Sequence, residues 1–148
     1  MKKEDTPSYE CLRIENQLCF PLYACAKEVV RRYKPYLDAL GLTYTQYITM
    51  LVLWEYGTST VKALGEYLYL DSGTLTPLLK KLEERGLITR VRDRQDERNL
   101  NIALTAEGEK LKEDAVKIPA QIGGCLCITP EDAETLYRIL YRILQKKD

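Results

Sequence analysis

Five cysteines and no histidine limit the chemistry open to this 148-residue chain. Without histidine there is no Ser-His-Asp triad. There is also no Cys-His pair and no zinc site that uses imidazole. The cysteines are Cys11, Cys19, Cys25, Cys125 and Cys127, and none forms a Cys-x-x-Cys pair. An all-cysteine zinc site is therefore not expected, and no cofactor is expected. The cysteine thiols are left, and the thiolate is their reactive form. An odd cysteine count argues against a disulfide scaffold. Taken alone, each cysteine reads as a small buried hydrophobe.

A second set of residues suits nucleic acid. Twenty-two basic and twenty-two acidic residues cancel, so bulk attraction to polyanions is unsupported. Placement matters more than the sum. Between Ser72 and Arg98 lie Lys80, Lys81, Arg85, Arg90, Arg92, Arg94 and Arg98, opposed by Glu83, Glu84, Asp93, Asp96 and Glu97. Ser72, Thr74 and Thr76 open a predicted helix, the end of a recognition helix that meets base edges. Lys80 and Lys81 follow, suited to phosphates. Arg94 and Arg98 sit at a predicted loop tip that fits a minor groove, with Asp96 placed to hold the Arg98 guanidinium.

The elements that must position these groups follow from periodicity. Leu18, Leu22, Ala26, Val29 and Tyr33 form a helical stripe running to about Tyr36. Pro21 puts Cys19 either just ahead of a helix start or at a kink. Thr43-x-x-Gln46 is a capping box that opens a second helix, ending near Gly57. Thr58 to Val61 is a β-prone connector, and Lys62 to Leu70 a short helix. Asp71 caps the next helix, which carries Leu75, Leu78, Leu79 and Leu82 and stops at Gly86. Helix, short turn, helix is the helix-turn-helix pattern. Leu87 to Arg92 and Leu100 to Leu104 alternate around a charged turn, which makes a hairpin. Directly after a helix-turn-helix, such a hairpin is a wing. Thr105 opens another helix, which Pro119 bends or shortens and Gly123-Gly124 ends. Thr129-Pro130-Glu131-Asp132 starts the last one. The expected fold is mainly α with a small β-wing: a winged helix-turn-helix flanked by N- and C-terminal helices. Their apolar stripes are more than a small winged core can cover, and a second copy of the chain could bury them.

Three motifs carry a resemblance. Glu15-Asn16-Gln17 followed by Leu18-Cys19-Phe20-Pro21-Leu22-Tyr23-Ala24 looks like the signature of organic-hydroperoxide-sensing repressors, the OhrR branch of the MarR family. The stretch from Tyr69 to Glu83 resembles that branch's recognition helix, and Asp96-Glu97-Arg98 resembles the wing of the whole superfamily. The resemblance runs from about Glu15 to Gly108. It implies a single MarR-like domain over 1–148, with dimerisation helices at 12–40 and 106–148 and a DNA-binding lobe at 43–105. It implies a homodimer on double-stranded operator DNA, with repression released by an organic hydroperoxide. Cys19 matches the peroxide-reacting cysteine. Tyr33 and Tyr44 match two tyrosines that, in the family, come from the partner subunit and hydrogen-bond that thiol. Two-cysteine members carry a resolving cysteine near the last helix junction. Cys125 is the nearer match and Cys127 its competitor, while one-cysteine members use a small thiol instead.

The chemistry agrees with the resemblance. Phenol hydroxyls donating to sulfur favour the thiolate, a helix N-terminus adds partial positive charge, and Phe20 and Leu22 favour organic peroxides. Two other functions compete with peroxide sensing: a MarR-type repressor released by a phenolic or lipophilic ligand, and a thiol peroxidase. An enzyme is not expected, because no basic residue stands in the Cys19 motif to assist turnover. No apolar run approaches the ~20 residues of a membrane span, and Met1 to Asp5 lacks the apolar stretch of a signal peptide. The expected location is cytoplasmic, with no membrane partner.

Overall fold

The longest helix, α1 (Cys19–Leu40), starts at Cys19 because Pro21 falls in its first turn. There a missing N–H leaves no intrahelical bond unmade. The computed structural model describes residues 9–96 and 98–145. Pro35 lies inside α1 and is exposed. Ion pairs on either side support the helix through it: Glu28 with Arg31 at 2.8 Å and Arg32 at 3.1 Å, and Lys34 with Asp38 at 2.8 Å. The helix therefore runs four residues past Tyr36, to the left-handed Gly41. The Leu42 N–H there reaches back to the Leu37 carbonyl at 3.0 Å. Ahead of α1, two short 3-10 turns, Glu10–Leu12 and Ile14–Asn16, are tied by the Gln17 amide donating to the Cys11 carbonyl at 2.6 Å.

The capping box forms as expected. Thr43 accepts from the Gln46 N–H and the Gln46 side chain accepts from the Thr43 N–H, opening α2 (Tyr44–Tyr56). The connector becomes strand β1 (Ser59–Thr60), and Thr60 caps α3 (Val61–Leu68). This helix stops short of Leu70 because Tyr69 takes a left-handed conformation, φ 54°, as its C-cap. Asp71 then caps α4 (Ser72–Glu84) by accepting from the Thr74 N–H at 2.7 Å. Strands β2 (Ile88–Arg92) and β3 (Leu100–Leu104) pair antiparallel with Ile88 opposite Leu104, and β1 pairs with the other edge of β3. The sheet order is β1-β3-β2.

The core lies where these elements meet. Met50, Leu53, Leu64, Leu75, Leu79, Leu82, Ile88 and Ile102 are all buried. α5 (Ala106–Ala115), capped by Thr105, is clipped to α2 by the Trp54 indole N–H donating to the Gly108 carbonyl at 2.9 Å. This is a winged helix-turn-helix: α3 and α4 around a short turn, with a β2–β3 wing.

The chain divides into two compact units, 1–117 and 118–148. The second holds α6 (Ile118–Gly123) and α7 (Pro130–Gln145). The break between α5 and α6 falls just ahead of Pro119. Thr129 caps α7 by accepting from the Asp132 N–H at 3.1 Å. No described residue of α7 is buried, and Leu136, Tyr137, Ile139, Tyr141, Ile143 and Leu144 are exposed. Among the described residues no helix is long and apolar enough to cross a membrane.

Candidate functional site

The spacing of leucines in α4 sorts its two faces. Leu75, Leu78, Leu79 and Leu82 face the core, so Ser72, Thr74, Thr76, Lys80 and Lys81 are left exposed. The Asp71 cap fixes the first turn that presents Ser72 and Thr74. The Thr76 hydroxyl donates to the Ser72 carbonyl at 2.7 Å, which leaves it an acceptor toward any ligand.

The wing is organised by acids. Asp93 accepts from the Gln95 N–H at 2.7 Å, the Asp96 N–H at 3.4 Å and the Asn101 amide at 3.1 Å. These donors, the Gln95 N–H foremost, hold its carboxyl below the usual range. Asp96 was expected to grip the Arg98 guanidinium. Instead its carboxylate accepts the Arg98 backbone N–H at 3.1 Å and the Asn99 amide at 3.4 Å. It shapes the turn rather than the side chain, because an aspartate two residues before an N–H closes a local ring more readily than it meets a long, mobile side chain. Arg94 and Arg98 are exposed at the tip. Glu97 lies outside the described residues.

Two of the seven basic residues serve the fold instead. The Arg90 guanidinium pairs with Glu83 at 2.7 Å, which lowers that carboxyl and ties the wing to α4. Arg85 donates to the carbonyls of Gly41 and, at 3.0 Å, Leu40.

Cys19 is the first residue of α1 and is exposed, as are Leu18, Phe20 and Leu22 around it. No side chain caps this helix start. One turn on, Tyr23 carries the Lys27 ammonium 5.2 Å from its ring centre. Tyr33 and Tyr44 are brought together, with ring centroids 5.0 Å apart. Tyr47 completes the cluster at 5.9 Å from Tyr33 and 6.5 Å from Tyr44. Sequence reasoning missed Tyr47, though its i,i+3 spacing from Tyr44 is the available signal. Burial pushes all three phenols above their ordinary value. They therefore stay protonated, and able to donate, through neutral pH.

In the second unit Cys125 is partly buried and its thiol donates to the Gln121 carbonyl at 3.3 Å. Cys127 is exposed on a left-handed backbone, φ 51°. Cys11 and Cys25 are also exposed, and none of the five cysteines is in a disulfide. Among the described residues no cluster could hold a metal ion.

An exposed recognition helix, a basic wing and an exposed thiol at a helix start define a winged-helix transcriptional regulator. Residues 31–115 match the family Transcriptional regulator SarA/Rot. The chain is 52% identical to the organic hydroperoxide resistance transcriptional regulator of Bacillus subtilis strain 168, covering 93% of each chain. A structure of reduced AbfR bound to DNA is 34% identical with a TM-score of 0.77, covering 92% of this chain and 94% of that one. A structure of disulfide-formed AbfR is 35% identical with a TM-score of 0.66, covering 92% and 96%. AbfR is a Staphylococcus epidermidis protein. The chain belongs to the MarR-type transcriptional regulators, on their OhrR-like branch.

Proposed function

We propose that this chain is a homodimeric, cytoplasmic DNA-binding repressor that senses organic hydroperoxides through Cys19 and then releases its operator. The observation that carries this reading is the exposed thiol at the first residue of α1, in the same compact unit as an intact winged helix-turn-helix.

The helix start supplies partial positive charge to the sulfur. Tyr33 lies fourteen residues farther along the same helix, about 21 Å at 1.5 Å per residue. A thiol and a phenol on one helix cannot bridge that span. The hydroxyls of Tyr33 and Tyr44 reach a Cys19 only when it belongs to another copy of the chain. This supports a dimer in which segments 12–40 and 106–148 pair and the lobe 43–105 reads DNA. The exposed apolar side chains of α7 support the same pairing.

In the reaction the Cys19 thiolate attacks the outer oxygen of the hydroperoxide. An S–O bond forms as the O–O bond breaks, and the alkoxide leaves and takes a proton as an alcohol. The sulfenic acid then condenses with a second thiol, releasing water and leaving a disulfide. Cys127, exposed, and Cys125, partly buried, are the protein candidates, and a small thiol is the third. On DNA, Ser72, Thr74 and Thr76 meet the major groove, Lys80 and Lys81 the phosphates, and Arg94 and Arg98 the minor groove, with Asp96 shaping the wing tip.

The test is Cys19→Ser protein titrated on operator DNA with and without cumene hydroperoxide. The variant should bind and stay bound, whereas release on oxidation would overturn the reading.

A further inference from the structure

The carboxyl end of α1 and the carboxyl end of α4 are joined by one side chain. Arg85 is the C-cap residue of α4, and its two terminal nitrogens donate separately to the carbonyls of Gly41 and Leu40, which close α1. A planar guanidinium is suited to two neighbouring acceptors at once, and its charge faces the negative end of the α1 dipole. Gly41 makes room for it: a Cβ there would lie 2.9 Å from Arg85 Nη2, and the backbone at φ 63° disfavours any side chain. Two residues earlier, Glu83 holds Arg90 of β2. The last turn of α4 therefore carries two separate polar links, one to the end of α1 and one to β2 of the wing.

Leu37, Leu42, Leu79 and Leu82 are buried, and α1 and α4 each pack against α2. Arg85 adds a directional link on the exposed side, where hydrogen bonds to water compete and net stabilisation is small. We propose that Arg85 is a positioning residue that makes α4 and the wing follow α1, and so converts oxidation at the Cys19 end of α1 into altered spacing of the recognition helices. This rests on the sensing role proposed above. An effector shifts a conformational equilibrium only through differential interaction with the two states. The Arg85 fork supplies such a difference if α1 moves relative to α4.

The test compares parent, R85Q and R85K proteins on operator DNA, reduced and after one equivalent of cumene hydroperoxide. Loss of the Cys19 thiol is followed in the same samples. Thiol loss should proceed at the parent rate in all three. The ratio of oxidised to reduced Kd should fall about tenfold in R85Q relative to the parent, within the usual range of allosteric coupling. R85K keeps the charge without the fork, so its ratio should lie between the two. It carries the test alone should R85Q fail to fold. An unchanged ratio in the folded variants, or a ratio that falls only as thermal stability falls, overturns the proposal. A parent protein that fails to release DNA would instead overturn the sensing role.

Discussion

The rings of Tyr33 and Tyr44 meet edge to face, with centroids 5.0 Å apart and planes at 64°. This is a favoured aromatic geometry. It fixes two phenols from α1 and α2 in one place, with Tyr47 buried beside them. Burial keeps the hydroxyls protonated. The rings thus carry the packing while the hydroxyls remain to do chemistry.

Replacing Tyr33 or Tyr44 by phenylalanine separates those two roles. The ring packing survives, so thermal stability and reduced-state DNA binding should change little. Oxidation of Cys19 should slow about tenfold, the effect of one missing hydrogen bond to a charged acceptor at ~1.5 kcal/mol. Stopped-flow loss of free thiol with cumene hydroperoxide measures this. Rates equal to the parent would remove the tyrosines from the sensing chemistry.

The wing arginines should act through charge. Arg94→Ala and Arg98→Ala should each weaken operator binding and reduce the slope of log K against log salt by about 0.9 for each phosphate no longer neutralised. Arg90→Ala should behave differently, because its guanidinium is engaged by Glu83. It should loosen the wing and lower stability with less change in the salt slope. Fluorescence anisotropy at several salt concentrations distinguishes these patterns.

Core packing supplies a stability prediction. A Cβ at Gly108 would collide with the Leu87 carbonyl, which is backbone and yields poorly. Gly108→Ala should therefore cost about 1–3 kcal/mol, the usual penalty of overpacking. Leu79→Ala, at a fully buried site, should cost about 2–5 kcal/mol through reduced burial and a cavity. Urea unfolding monitored by the Trp54 signal and by circular dichroism gives both values.

The pH dependence has a sign at each end. The Glu28 carboxyl is held down to about 2 by its hydrogen bonds to Arg31 and Arg32, and Glu83 and Asp93 are lowered too. A depressed carboxyl favours the folded state above its unfolded value and loses that contribution as pH falls through its folded one. Stability should decline as pH drops from the ordinary carboxylate range toward about 2, and Glu28→Gln should flatten part of that decline. The three raised phenols act oppositely. Their contribution is present below the unfolded value of 10.0 and lost as pH rises through the folded values. Phenolate absorbance should show a late phase that shrinks in Tyr47→Phe. Chemical denaturation across pH, together with that absorbance, checks both ends.

Local signals make most of the fold legible. Thr43, Asp71, Thr105 and Thr129 each sit where a side-chain oxygen caps a helix, and each does so in the structure. The alternation of Leu100 to Leu104 marks the inner strand of the wing at its full length. What escapes the sequence has no local period. Arg85 joins carbonyls 44 and 45 residues away, and nothing in its neighbourhood marks it from Lys80 or Lys81. Tyr69 takes a left-handed cap without being glycine or asparagine, so α3 ends two residues before the expected Leu70. Asp93 is recognisable as the wing's organiser, because Asp93-x-Gln95 is an Asx-turn spacing. Cys19 stands out from the other cysteines in the sequence only through the motif around it. Its exposure at a helix start is a property of the folded chain.

Operator release is proposed to follow oxidation of Cys19. The most direct measurement is a stepwise titration of the DNA-bound protein with cumene hydroperoxide. Operator occupancy is read by anisotropy and Cys19 modification by mass spectrometry on the same samples. The fraction released should track the fraction of Cys19 oxidised, while Cys19→Ser protein remains bound throughout. Release while Cys19 is still a thiol, or full oxidation of Cys19 with the operator still occupied, would show that Cys19 oxidation does not drive release.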